Sequence, residues 1–189
     1  YKPDALGGRI DVLFENGERP SWLQDELLGF LGHLDHGEGC WLTEPDTPFY
    51  GGNFAVRVDI FPEIGDFDAD LGRKGEVNAG GEDTEFYRRI IARNYKVRWV
   101  PDAIINHRIR ADKLWRSYFL DLHFRQGMSE GSRARGDSGR LPPKYMFGQL
   151  ARAIKIALQQ RFKQGKDYSL RLEMNAVYFL GYLKGWIAR

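Results

Sequence analysis

The sequence predicts an α/β domain followed by a helical C-terminal extension. Three observations predict it. Between residues 9 and 107, short alternating apolar runs exchange with stretches of helical period, the pattern of strands and helices packed in layers. From residue 112 onward the periodic stretches are helical. The charge also reverses: residues 1–107 carry 11 Lys/Arg against 20 Asp/Glu, and residues 108–166 carry 14 against 4. A chain polarised in this way has a physical use for its basic part at a phosphate or an anionic membrane surface. The other reading is that the two halves face each other electrostatically.

In order along the chain, "GGRIDVLF" follows a glycine turn and nearly alternates through Ile10, Val12 and Phe14, as a strand does. "ENGERP" is a turn by composition. "SWLQDELLGFLGHL" has Ser21 at a capping position and Leu23, Leu27, Leu28 and Leu31 on one helical face. "FYGGNFAVRV" is strand-like but broken by Gly51 and Gly52, and glycines within a strand mark a close approach to the backbone. "DIFPEIG" reads as a short helix with Asp59 as cap and Gly65 as left-handed terminator. "DFDADLGRKGEVNAGG" is a long loop punctuated by glycine, a length that is commonly functional. A helix from about Thr84 to Arg93 turns Phe86, Ile90 and Ile91 inward, and Asn94 stands where a left-handed residue ends it. "YKVRWV" is a half-buried strand stopped by Pro101, and "AIINH" a brief apolar run ending at His107. An amphipathic helix from 112 ends at Gly127, a flexible basic linker spans 128–144, and helices at 145–163 and 168–187 form a hairpin.

With 189 residues the chain is long enough for one domain with its own core. No run of 18 apolar residues suggests a membrane span, and the first residues show no signal pattern. The start lacks an initiator Met and reads like the interior of a longer protein. The single Cys40 excludes an internal disulfide framework and suits a reducing compartment, which predicts a cytoplasmic protein.

The stretch that asks for a chemical explanation is "AGGEDTEFYRRI", where two glycines lead into Glu82 and Asp83 at the mouth of a helix. A carboxylate there sits at the positive end of the helix dipole, and the glycines let another molecule approach the backbone. Adjacent residues point in different directions, so one carboxylate can face a reacting hydroxyl while its neighbour binds elsewhere, an arrangement suited to a general base. The structural alternative is a capping cluster with no chemistry. "HLDHGEGC" places His33, Asp35, His36 and Cys40 at spacings that could meet a zinc ion, but without the usual fourth-ligand pattern.

The pieces Gly51–Ala55, Asp66–Asp68, Gly80–Glu85, Tyr95–Val97, Pro101–Ala103 and His107, in this order and spacing, resemble the second half of family-two glycosyltransferases of the GT-A fold. The resemblance is strongest over 51–110, looser over 1–50 and weak beyond 128. It implies that residues 1–127 are the acceptor-side half of a partial GT-A domain, in an inverting, metal-dependent enzyme of polysaccharide biosynthesis. A nucleotide-diphospho-sugar would be the donor, and a glycan or lipid-linked hydroxyl the acceptor. Asp83 would be the catalytic base; Glu82 and Trp22 would bind the acceptor. Gly51, Gly52, Asn53 and Arg125 would bind the donor, and His107 would approach a divalent Mn²⁺ or Mg²⁺ on its diphosphate. The family's nucleotide-binding strands and metal-holding Asp-x-Asp motif have no counterpart here. Asp68-Ala69-Asp70 belongs to the Gly-Phe-Asp turn, so the chain alone is not expected to catalyse robustly. The alternative is a non-catalytic module, derived from such a half, that binds a glycan, a membrane or a partner protein.

The basic helices 145–163 and 168–187 predict contact with the inner face of the cell membrane, since Trp, Phe and Leu on one side and Lys/Arg on the other suit a lipid interface. No nucleic-acid motif accompanies the charge, and no nucleic-acid partner is expected. A half-domain with an uncovered sheet edge predicts a homodimer.

Overall fold

The structure, a computed structural model, describes residues 2–15, 17–69, 71, 81–135 and 141–188. It is mixed α/β, with a four-stranded sheet and helices. The strands are β1 (Ala5–Phe14), β2 (Trp41–Leu42), β3 (Phe54–Val56) and β4 (Val97–Ile109), in the order β2-β4-β1-β3. β1 runs parallel to β4 and antiparallel to β3, and β2 runs antiparallel to β4. The helices are α1 (Phe61–Ile64), α2 (Glu82–Ala92), α3 (Arg116–Arg135), α4 (Lys144–Gln164) and α5 (Leu170–Ile187). The described residues form two compact units, one drawn from those within 1–17, 28–73 and 80–109, the other from those within 18–27 and 110–189.

In the first unit, α2 lays Phe86, Tyr87 and Ile90 against Phe49, Val97 and Trp99, all essentially without solvent contact. Ile91, expected inward, is only half-buried; Tyr87 takes the inner position and donates its hydroxyl to the Glu44 carbonyl at 2.8 Å. Asn94 ends the helix with φ 61°, in the left-handed region that Asn tolerates.

Pro101 does not stop its strand. β4 continues to Ile109, and the expected separate run "AIINH" is its second half. The register against β1 jumps from Gly8↔Val100 to Arg9↔Ile104, so Pro101, Asp102 and Ala103 bulge out of the ladder. Proline has no N–H to contribute there. The side chain of Asn53 closes the gap, its Nδ2 donating to the Arg9 carbonyl at 2.9 Å and the Ala103 carbonyl at 2.7 Å. Gly8 makes room, because a Cβ there would lie 2.9 Å from Asn53 Cγ and closer still to the Ala103 oxygen.

Two other local expectations change. The helix expected from Ser21 is a 3-10 helix over Asp25–Leu31, as its hydrogen bonds show: Leu27 N–H reaches Gln24 O at 3.0 Å, and Leu23 O accepts from the Arg19 guanidinium instead. Asp59 does not cap α1. It lies in a 3-10 turn, paired with Arg57, and Gly65 ends α1 with a positive φ but an extended ψ of 176°.

In the second unit α3 passes through Gly127 and runs on to Arg135, so the first eight residues of the expected 128–144 linker are helical. Gly127 and Gly131 face Gly181 and Gly185 of α5. A Cβ on Gly131 would sit 2.8 Å from Tyr182 C, and one on Gly185 2.7 Å from Met128 C. The glycines are therefore the contact surface that lets two helix backbones touch, and the helix-propensity loss of about 1 kcal/mol each is offset by that packing. α4 adds Met146 and Leu150 to Tyr182, Leu183 and Trp186 of α5.

Candidate active site

Glu82 and Asp83 are the first two residues of α2. Gly81 precedes them with φ 109° and ψ 6°, a conformation that strongly favours glycine, and its carbonyl accepts the Glu85 N–H at 2.8 Å to start the helix. Gly80 and Asp70 lie outside the described residues. Across from this end a turn over Tyr50–Asn53 closes with Asn53 N–H donating to Tyr50 O at 3.1 Å. It aims the Gly51 N–H at Asp83 Oδ2, 2.8 Å away, while Asp83 Oδ1 accepts from Thr84 N–H at 2.8 Å. Two backbone donors from separate elements thus fix the orientation of this carboxylate. Oδ1 also accepts from the Thr84 hydroxyl at 3.5 Å, while Oδ2 keeps capacity for a further donor, since an ionised carboxylate offers about four acceptor sites.

The surroundings add two facts. One oxygen of Glu82, Oε2, is buried and has no hydrogen-bond partner among the described residues. Tyr50 is half-buried, and its phenol is pushed above the ordinary tyrosine range, first by burial and then by the negative charge of Asp83. Tyr50 escaped the sequence reading, which took it as part of a strand; its position directly before the glycine pair was the available signal. Gly52 packs closely, a Cβ there lying 3.3 Å from Ile10 Cδ1.

No protein-family model matches the chain, and no solved structure matches it. The glucosyl-dolichyl phosphate glucuronosyltransferase of Haloferax volcanii is 26% identical over 131 residues, 68% of this chain and 41% of that protein. The chain is distantly similar to a glycosyltransferase. It spans less than half the length of that relative.

Of the residues expected in a glycosyltransferase site, the structure brings together Gly51 and Asp83, with Asn53 closing the same turn and Glu82 beside Asp83 on α2. Both observed Asn53 donations are to backbone carbonyls of the fold. His107 is on the exposed outer half of β4, and its Nδ1 lies close enough to Gly32 that a Cβ there would come within 2.8 Å of it. Trp22 and Arg125 belong to the second unit. Trp22 packs edge-on against Phe119 at 5.6 Å, and Arg125 pairs with Asp121 at 2.7 Å along α3.

Among the described residues no group of three or more His, Cys, Asp or Glu is arranged to hold a metal ion. The possible zinc cluster is dispersed: His33 Nδ1 bonds the Ile10 carbonyl at 2.8 Å, and His36 Nε2 the Pro48 carbonyl at 3.0 Å. Asp35 accepts from Gly37 N–H, and Cys40 is exposed. The described residues do not fit a divalent-metal site either, because His107 alone offers one nitrogen where Mn²⁺ or Mg²⁺ prefers several oxygens. A cleft of ≈ 470 Å³ between β2 and the C-terminal end of α2, lined by Trp41, Leu42, Asn94 and Tyr95 among others, contains none of these residues.

Proposed function

We propose that this chain is the acceptor-side, base-carrying part of an inverting glycosyltransferase of GT-A type. The donor is a nucleotide-diphospho-sugar. The observation that carries the reading is the carboxylate of Asp83, held by Gly51 N–H and Thr84 N–H with acceptor capacity to spare. In the proposed reaction Asp83 takes the proton of an acceptor hydroxyl as its oxygen forms the new bond to the anomeric carbon. The bond from that carbon to the nucleoside diphosphate breaks on the opposite face, which inverts the configuration. Glu82, beside Asp83 at the start of α2, holds a second hydroxyl of the acceptor. The name of the Haloferax relative describes transfer onto a glucosyl-dolichyl phosphate, so a lipid-linked sugar is the acceptor class to try first. No step is assigned to a metal, because the described residues do not supply its ligands.

The test is release of nucleoside diphosphate from a panel of nucleotide-sugars by the full-length natural protein, with Mn²⁺ and with chelator, beside its Asp83→Asn variant. The variant keeps the shape and loses the base, so turnover should fall about 10²–10⁴-fold with donor binding unchanged. Full activity in the variant refutes the base assignment. A well-folded protein that releases nothing from any donor is a binding module, and the carboxylates then serve as a helix cap.

A further inference from the structure

α4 has two apolar faces, and among the described residues one of them is packed inside the fold while the other is exposed. Met146, Ala153 and Ala157 are buried, with Leu150 half-buried on the same side. About a third of a turn away run Phe147, Ala151, Ile154, Leu158 and Phe162, in the i, i+4, i+7, i+11, i+15 series that makes one stripe on a helix. All five are exposed, Phe162 at 86% and Phe147 at 51%. The stripe is about 22 Å long at the helical rise of roughly 1.5 Å per residue. Lys144 and Lys155 lie along one border and Arg161 along the other, with Arg152 and Lys163 further round. The sequence of α4 contains no Asp or Glu.

We propose that this face of α4 is a docking surface for an anionic lipid bilayer, with the helix lying in the plane of the interface. Phe147, Ile154, Leu158 and Phe162 enter the acyl boundary, and Lys144 and Lys155 on the border, with Arg152 and Lys163 further round, meet the lipid phosphates; Arg161 stays paired with Glu173 at 3.3 Å. The charge decides the occupant. A second copy of this chain seated on the same face across a two-fold axis would oppose two wholly cationic helices. An anionic surface matches both the stripe and its borders. Among the described residues no helix is long and apolar enough to cross a membrane, so α4 rests on the surface and does not span it. The inference does not depend on Asp83 being a base.

Co-sedimentation of the 189-residue chain with vesicles tests it, comparing phosphatidylcholine alone with phosphatidylcholine mixed with phosphatidylglycerol. The expected result is binding to the anionic vesicles at least about tenfold tighter than to the neutral ones, weakened by added salt. Phe147→Ser with Phe162→Ser should lower the binding at least about tenfold while circular dichroism stays unchanged. Lys155→Gln with Lys163→Gln, a change that touches no buried group, should lower it only for anionic vesicles. The proposal is overturned by a folded chain that ignores both kinds of vesicle, or by binding that all four substitutions leave intact. It is equally overturned by light scattering that shows a dimer dispersed by the phenylalanine changes.

Discussion

Replacing Gly131 by Ala and Gly148 by Ala makes the same chemical change in two helices of one protein, and the two should shift stability in opposite directions. At Gly131 the new methyl would stand 2.8 Å from Tyr182 C and 3.0 Å from Tyr182 Cα. Carbon atoms rest at about 3.5–4.0 Å and the Tyr182 carbonyl oxygen lies closer still, so α3 and α5 have to separate by about 1 Å or more, and no side chain can swing aside because the obstacle is backbone. Overpacking of this kind costs about 1–3 kcal/mol, and an unyielding backbone contact belongs at or above the upper end. The better helix propensity of Ala returns about 1 kcal/mol. The net loss is about 2 kcal/mol, or roughly 4–8 °C in melting temperature for a chain of this size. Gly148 has nothing within 4 Å of its missing Cβ, so there only the propensity gain remains, about 0.5–1 kcal/mol. Thermal unfolding followed at the helical circular dichroism band would show both shifts. A Gly131→Ala protein that melts with or above the parent would refute the close helix contact, and so would a Gly148→Ala protein that loses as much as Gly131→Ala.

The remaining expectations are smaller in scope. Asn53→Ala removes two hydrogen bonds across the β1–β4 bulge and should destabilise the chain by about 1–3 kcal/mol, read from the urea midpoint; an unchanged midpoint would mean that the bulge does not need its staple. His123 is buried on α3, and its protonated form is disfavoured first by burial and then by Arg171, so its folded pKa lies below the unfolded value. The unfolded chain therefore binds a proton that the folded chain refuses, and stability should fall as the pH drops below about 6.5. His123→Gln should flatten the dependence of the urea midpoint between pH 7.5 and 5.5, and an unaltered slope would assign it to other groups. Gly51→Pro removes the N–H that holds Asp83 and should lower turnover in the full-length protein more than donor affinity, a split visible as kcat against KM; equal turnover would mean that Asp83 is oriented by other contacts.

Most elements were legible because their signals are local. The left-handed Asn94, the inward Phe86 and Ile90 of α2 and the paired helices α4 and α5 follow from turn chemistry and period alone. The candidate site was legible as residues and less so as geometry. Gly51 and Asp83 stand 32 positions apart, and their hydrogen bond exists only because the turn after Phe49 meets the start of α2. Asn53 was read from its place in the Gly-Gly-Asn motif as a donor-binding residue, but local sequence cannot reveal that its amide reaches carbonyls 44 and 50 positions away. Tyr50 went unnoticed because its place before the glycine pair does not reveal that the folded chain sets it beside the Asp83 carboxylate.

By itself the sequence determined the alternation of strands and helices, the carboxylate pair at a glycine-led helix start and the reversal of charge. Each is a property of neighbours within a few turns or pleats, where backbone preference and side-chain period act directly. That the apolar residues of α4 divide into a buried and an exposed face came from the tertiary structure. The tertiary structure also decided what proline and glycine meant. Pro101 reads as a strand stop, yet the strand continues, because the residues from Pro101 to Ala103 bulge out of the ladder and Asn53 bridges the gap from afar. Gly127 reads as a helix end, yet α3 continues, because α5 approaches so closely that only a residue without a Cβ fits. These residues weaken local order in any sequence, and whether a partner restores it depends on atoms that only the folded chain brings near.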